Sequence, residues 1–280
     1  MTSKNDLRIQ TEELSQYLSQ ITLPQPDSHK GQNGKLLVIG GSKLFHSSIF
    51  WSADVASYLV DMVHLTSPAN ENNDLFRFKL KQGFWQGIVV DWSEVESYIQ
   101  EDGAVLIGPG MERILEIEQL VNKLVGHFPK QKWVIDGGAL QMINPKLLNE
   151  HHIITPHQRE LDRLFEKLSG KDPVQNLKLL IETGATILSK GPTDTVYSQK
   201  ESVQIAGGNA GLTKGGTGDV LAGLVAGLYC NNQTLPSAVV ASLVNKRAGE
   251  TLWQRQGPFY STQDLVEQIP NTLWSLLDSR

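Results

Sequence analysis

The sequence predicts an α/β fold: a doubly wound, mostly parallel sheet with helices on both of its faces. Three observations predict it. Short, almost continuous apolar runs recur along the chain, segments with apolar residues at helical spacing separate them, and each run ends in Gly, Pro or a polar side chain. Strands buried on both faces read as unbroken apolar runs, whereas a strand with one wet face alternates. Strand and helix in alternation require right-handed crossovers, and so parallel neighbours.

In chain order, the first ~27 residues read as a polar helix and a Pro-containing lead-in, "TLPQPD", ahead of a single domain over 28–280. Strand patterns follow in "KLLVIGGS", "GIVVDW", "AVLIGPG", "WVIDGGAL", "HIITPH" and "ATILSKG". Helical spacing appears over 49–62, 114–125, 161–168, 177–181 and 238–252. "TVYSQKESVQI" reads as a hairpin, two β-prone stretches about a polar turn. The apolar run 220–230 directly follows a glycine-rich stretch, "TKGGTGD". No internal repeat or flexible linker interrupts the pattern, which favours one domain.

Composition narrows the function. A formal charge of −5 with no Lys/Arg run gives no electrostatic footprint for nucleic acid. The single cysteine, Cys230, excludes an internal disulfide and Cys-pair zinc sites, and fits a reducing compartment. The N-terminus lacks the basic start and apolar core of a signal peptide, so a cytoplasmic location is expected. The run 220–230 is far short of the roughly 20 residues that span a bilayer. Its Gly223 and Gly227 are expected instead to let another backbone approach closely.

The strand ends gather Gly40, Gly41 and Ser42; Gly108, Pro109 and Gly110; Asp136; Thr155, Pro156 and His157; Lys190 and Gly191. Open α/β sheets bind ligands beyond these ends, although turns need the same residue types merely to turn. "GQNGKL" has too few residues between its glycines for a P-loop, and "GPGMER" lacks the third glycine of a dinucleotide fingerprint. In "TKGGTGD", Gly215, Gly216 and Gly218 can present bare N–H groups to an anion at the positive end of the following helix. Asp219 then has two readings, helix N-cap or base aimed at an attacking hydroxyl. The helix end should favour its charged form, which makes it a modest base.

The motifs "SHKGQNGKLLVIGGS", "IGPGM", "VIDGGAL", "ITPHQRE", "LSKG" and "NAGLTKGGTGDVLAGLVAGL" resemble, in their order and over about residues 20–260, the ADP- or ATP-dependent NAD(P)H-hydrate dehydratases of the ribokinase-like superfamily. The resemblance implies a lyase of metabolite repair. Such an enzyme phosphorylates the ring hydroxyl of hydrated NADH or NADPH from ADP or ATP, with Mg²⁺, and eliminates phosphate. It implies that Asp219 takes the hydroxyl proton, that Ser48, Gly110, His157 and Asp219 hold the hydrate, and that Lys190, Gly191, Pro192, Thr193, Asp194, Gly216 and Gly218 hold the nucleotide. Asp136 and Glu160 match the acids that could organise Mg²⁺ through water. Family members often form symmetric multimers, so a homo-oligomer is expected, with any epimerisation of the hydrate left to a separate epimerase.

The sequence departs from that family at Ser47, Ser48 and Ile49, where Gly-Ala-Ala is usual, so that Ser48 stands in place of a substrate-contacting alanine, at Gly138 in place of a second acid, and at Arg159 in place of a glycine. Two rival functions share the loop and acid: a small-molecule kinase of the hydroxyethylthiazole or sugar type, and a nucleotide-binding protein without turnover. Other residues have plain readings. His151 and His152 read as a solvent-facing pair, Lys190 as either a surface lysine or a ligand, and His157 as either a loop histidine or a substrate contact. Trp51, Trp85, Trp92, Trp133, Trp253 and Trp274 read mostly as packing.

Overall fold

The computed structural model describes residues 13–82 and 87–278; the first twelve residues of the expected lead-in and Trp85 lie outside them. Nine strands form one sheet: β1 (Lys35–Ile39), β2 (Met62–Thr66), β3 (Gly87–Val89), β4 (Ala104–Ile107), β5 (Trp133–Ile135), β6 (His152–Ile154), β7 (Thr186–Ser189), β8 (Asp194–Tyr197) and β9 (Ser202–Ile205). Their order is β3-β2-β1-β4-β5-β6-β7-β8-β9. Neighbours from β3 through β7 are parallel. The predicted hairpin is present as β8 and β9, added antiparallel at one edge.

Alternate side chains of each strand feed two cores. Leu36 and Val38 face one layer, and Leu37 and Ile39 the other. The first layer holds α1 (Ser15–Leu18), α2 (Ser47–Ala56), α9 (Thr217–Asn231), α10 (Thr234–Gln256) and α11 (Thr262–Asp278). The polar α3 (Asn70–Gln82) adds Phe76 to it. The second layer holds α4 (Val95–Glu101), α5 (Leu115–His127), α6 (Gly137–Met142), α7 (Gln158–Glu166) and α8 (Pro173–Glu182). Helices on both faces of a mostly parallel sheet are the architecture the apolar runs imply.

Gly223 and Gly227 set the spacing between α2 and α9. A Cβ on Gly223 would stand 2.3 Å from the Ser52 carbonyl oxygen, and one on Gly227 would stand 2.7 Å from Leu59 Cδ1. The close contact is sealed by the Ser52 hydroxyl, which donates to the Asp219 carbonyl at 2.8 Å.

Two expectations need correction. The helix expected over 49–62 ends at Ala56, and Met62 already belongs to β2, because the Asp61 N–H bonds Gly34 O and turns the chain back into the sheet. His152 does not face solvent: it starts β6 fully buried, beside Trp133 in register, and only His151 is partly exposed. Where the lead-in is described, its Leu14, Tyr17, Leu18 and Ile21 join the first core. Among the tryptophans, Trp133 is buried whereas Trp274 is exposed.

Candidate functional site

The sheet order reverses between β1 and β4, the switch point at which open α/β sheets leave a crevice. The loops leaving these two strands interlock there: the Gly41 N–H donates to Pro109 O at 2.7 Å. Gly110 must be glycine, because a Cβ would lie 2.4 Å from Phe45 O and 2.9 Å from Ser48 Cβ. Ser48 and Gly110, far apart in sequence, are thereby brought together.

The glycine loop enters the crevice from the opposite side. Gly216, with φ of 95°, caps α9, and a side chain there would strike the Trp51 ring. The loop is held from below by Thr217 Oγ1, which donates to Leu212 O and Lys214 O, and by Thr262 Oγ1, which donates to Gly215 O at 2.8 Å. Among the described residues no acceptor takes the Gly216, Gly218 or Asp219 N–H, so these donors stay available at the positive end of a 15-residue helix.

Asp219 therefore lies in the first turn of α9, and the N-cap reading fails: the cap is Gly216 and no side chain caps the helix. The expected charge preference also fails. Burial raises the Asp219 carboxyl to about 7, and the neighbouring Asp136 charge adds to the rise; the Ser48 hydroxyl and the Lys190 ammonium oppose it without cancelling it. Desolvation outweighs the helix end because the dipole of the first turn is worth far less than removing a carboxylate from water.

Lys190 is the cation at this point. Its Nζ donates to Asp136 Oδ1 at 2.8 Å, and the same oxygen accepts the Thr155 hydroxyl at 2.6 Å. A Cβ built on Gly218 would find Lys190 Nζ as its nearest neighbour, at 3.9 Å. Burial alone would lower the Lys190 pKa, but attraction from Asp136, Glu160 and Asp219 holds it above the ordinary lysine value. A permanently charged ammonium beside free helix N–H groups suits an anion.

His157 is the N-cap of α7, and it forms a capping box with Glu160: the Glu160 N–H donates to His157 Nδ1, and the His157 N–H donates to Glu160 Oε2. The ring itself is half exposed. Glu160 Oε1 also accepts from Gln141 Nε2 at 3.3 Å. Arg159 is exposed on the same turn. Gly138 has a steric reason: a Cβ would fall 2.1 Å from Met111 O, so an acid cannot stand there on this backbone.

Beside these groups opens a cavity of about 700 Å³, within the usual range for small-molecule sites. Of the expected nucleotide contacts, Lys190, Gly191, Pro192, Asp194 and Gly218 line it, as does His157; Thr193 is exposed and Gly216 forms the cap behind it. Asp194 is turned to a structural task. Its carboxylate accepts from Gly191 N–H at 2.8 Å and from Ser242 Oγ at 2.7 Å. Sequence reading missed Lys246, buried on α10, which pairs with Asp194 at 3.3 Å and donates to Gly191 O, Pro192 O and Gly207 O. Its one signal was a lysine inside an apolar helical pattern.

The fold is that of a ribokinase-like α/β protein, and at the sheet's switch point it sets a glycine-capped helix start whose unpaired N–H groups suit an anion. The chain belongs to the NAD(P)H-hydrate dehydratase family, whose pattern it matches over residues 36–271. It is 34% identical over 254 residues to the bifunctional NAD(P)H-hydrate repair enzyme Nnr of Methanocaldococcus jannaschii, covering 88% of this chain and 49% of that one. It thus spans about half the length of that bifunctional relative. The ADP-dependent (S)-NAD(P)H-hydrate dehydratase of Cenarchaeum symbiosum is 30% identical over 270 residues, covering 88% of this chain and 91% of its own. Among solved folds, the ADP/ATP-dependent NAD(P)H-hydrate dehydratase of Bacillus subtilis, co-crystallised with ATP and Mg²⁺, superposes with a TM-score of 0.74 at 19% identity, over 94% of this chain and 97% of its own.

Proposed function

We propose that this chain dehydrates (6S)-hydrated NADH and NADPH to the normal cofactors at the expense of ADP or ATP. The observation that carries the reading is the placement of Asp219 beside Gly218 and Lys190: a carboxylate with a pKa of about 7 adjoins an anion-binding helix end. Lys190 and the free N–H groups of Gly216 and Gly218 hold the phosphoryl group. Asp219 accepts the proton of the ring hydroxyl as that oxygen attacks phosphorus and the nucleotide leaves one phosphate shorter. The ring nitrogen then expels inorganic phosphate, a ring proton is lost, and the reduced nicotinamide is restored. Ser48, Gly110 and His157 frame the hydrate side, and the cavity lined by Gly191 and Pro192 takes the nucleotide.

The residues fit Mg²⁺ held mainly by phosphate and water. Among the described residues no three His, Cys, Asp or Glu side chains form a metal cluster. Asp136 Oδ1 and both Glu160 oxygens already have protein partners, which leaves these acids an outer role through water. When bound, Mg²⁺ supplies charge neutralisation on the phosphates. The proposal extends to a cytoplasmic homo-oligomer, acting as one catalytic unit over 28–280, supplied with the S hydrate by a separate epimerase.

The test is incubation with hydrated NADH or NADPH and either nucleotide. Inorganic phosphate and the absorbance of the reduced nicotinamide should appear in equal amounts. A stable phosphorylated alcohol would identify a kinase instead, and nucleotide binding with no turnover would identify a binding protein.

A further inference from the structure

The α10 wall of the cavity carries a polar group that the mechanism does not use. Asn245 lines the cavity, is 6% exposed, and its Oδ1 has no hydrogen-bond partner. A buried amide oxygen without a partner costs stability that an apolar side chain of the same shape would avoid. Lys246, the next residue, has no such unmet need: it is saturated by Asp194 and by three loop carbonyls. No free cation therefore stands beside Asn245, whereas the anion-seeking groups, Lys190 and the N–H of Gly218, lie at the mouth of α9. Pro192, Ala210, Leu212 and Leu221 give the lining its apolar surface, and the Thr213 and Thr217 hydroxyls there donate to carbonyls of their own loop.

The other amide of the lining, Asn209, is spent on Gly211, Tyr260 and Gly249. Apolar surface and one amide with an unmet oxygen describe a place for a flat, neutral ring with a polar edge. A primary amide offers an acceptor and a donor side by side. The N6 amine and N7 of adenine complement that pair, whereas O6 and N7 of guanine present two acceptors. We propose that Asn245 reads the base of the bound nucleotide and selects adenine over guanine. The proposal rests on the reading of this cavity as the nucleotide site.

Calorimetric titration of ADP and of GDP, in the presence of Mg²⁺, into the full chain and into Asn245→Leu tests it. The wild type should prefer ADP by roughly 10-fold or more, the discrimination expected of one two-bond amide contact. Asn245→Leu should lose that preference through weaker ADP binding with GDP little changed, and its melting temperature should not fall, because it removes an unpartnered polar group. Asn245→Ala provides the same comparison with no added bulk. Equal binding of ADP and GDP by the wild type, or an unchanged ADP-to-GDP ratio in either folded variant, overturns the proposal alone. A wild type that binds neither nucleotide overturns the nucleotide site and this assignment with it.

Discussion

Asp219 shows how a single carboxylate is set for its task by where it is buried. Because a base works deprotonated and this one titrates at about 7, turnover should rise with pH along an acid limb with its midpoint near that value. Asp219→Asn should remove the limb and lower kcat by about 100-fold or more, with ADP affinity retained, as measured by steady-state kinetics and calorimetry. Much of this residue's surroundings was legible in sequence: glycines before an apolar run, and Asp and Lys at strand ends. Its charge preference was not, because that depends on Asp136 and on burial, and only the fold brings residues 136 and 219 together. Lys246 and Asn245 escaped for the same reason, as helical residues whose neighbours come from distant loops.

At the scale of elements, glycines do two different things within α9. Gly223 is a packing necessity, so Gly223→Val should push α2 away and cost about 2–3 kcal/mol, seen as a lower denaturation midpoint in urea. Gly218 leaves open space instead: an added Cβ would meet only the tip of Lys190, and its backbone is helical. Gly218→Ala should therefore stabilise the fold by up to about 1 kcal/mol while weakening ADP binding, and the two effects can be read in one calorimetric series. The apolar runs announced most strands and both glycine contacts. The second strand was hidden because "MVHLT" carries a histidine, His64, which is buried only because Asp102 meets its Nδ1 at 2.8 Å. The last helix, α11, was hidden by Pro270 in its middle.

For the whole molecule, His152 should limit tolerance to acid. Burial, reinforced by the charge of His151, lowers its pKa from 6.5 to about 4; the Glu150 charge and a weak contact with the Pro129 backbone oppose the shift without cancelling it. The unfolded chain takes up the proton first, so stability should be lost as pH falls from about 6.5 to about 4, by roughly 3 kcal/mol from this group. His152→Phe should flatten the urea midpoint across that window; an unchanged slope would assign the acid sensitivity elsewhere. The antiparallel edge has a consequence of its own. The chain passes from β7 to β8 by the short turn 190–193 rather than by a crossover helix, and Asp194 and Lys246 rivet that turn to α10. This side of the recess is a doorpost and not a door, so that a nucleotide bound there as proposed would leave past it without the sheet edge having to swing.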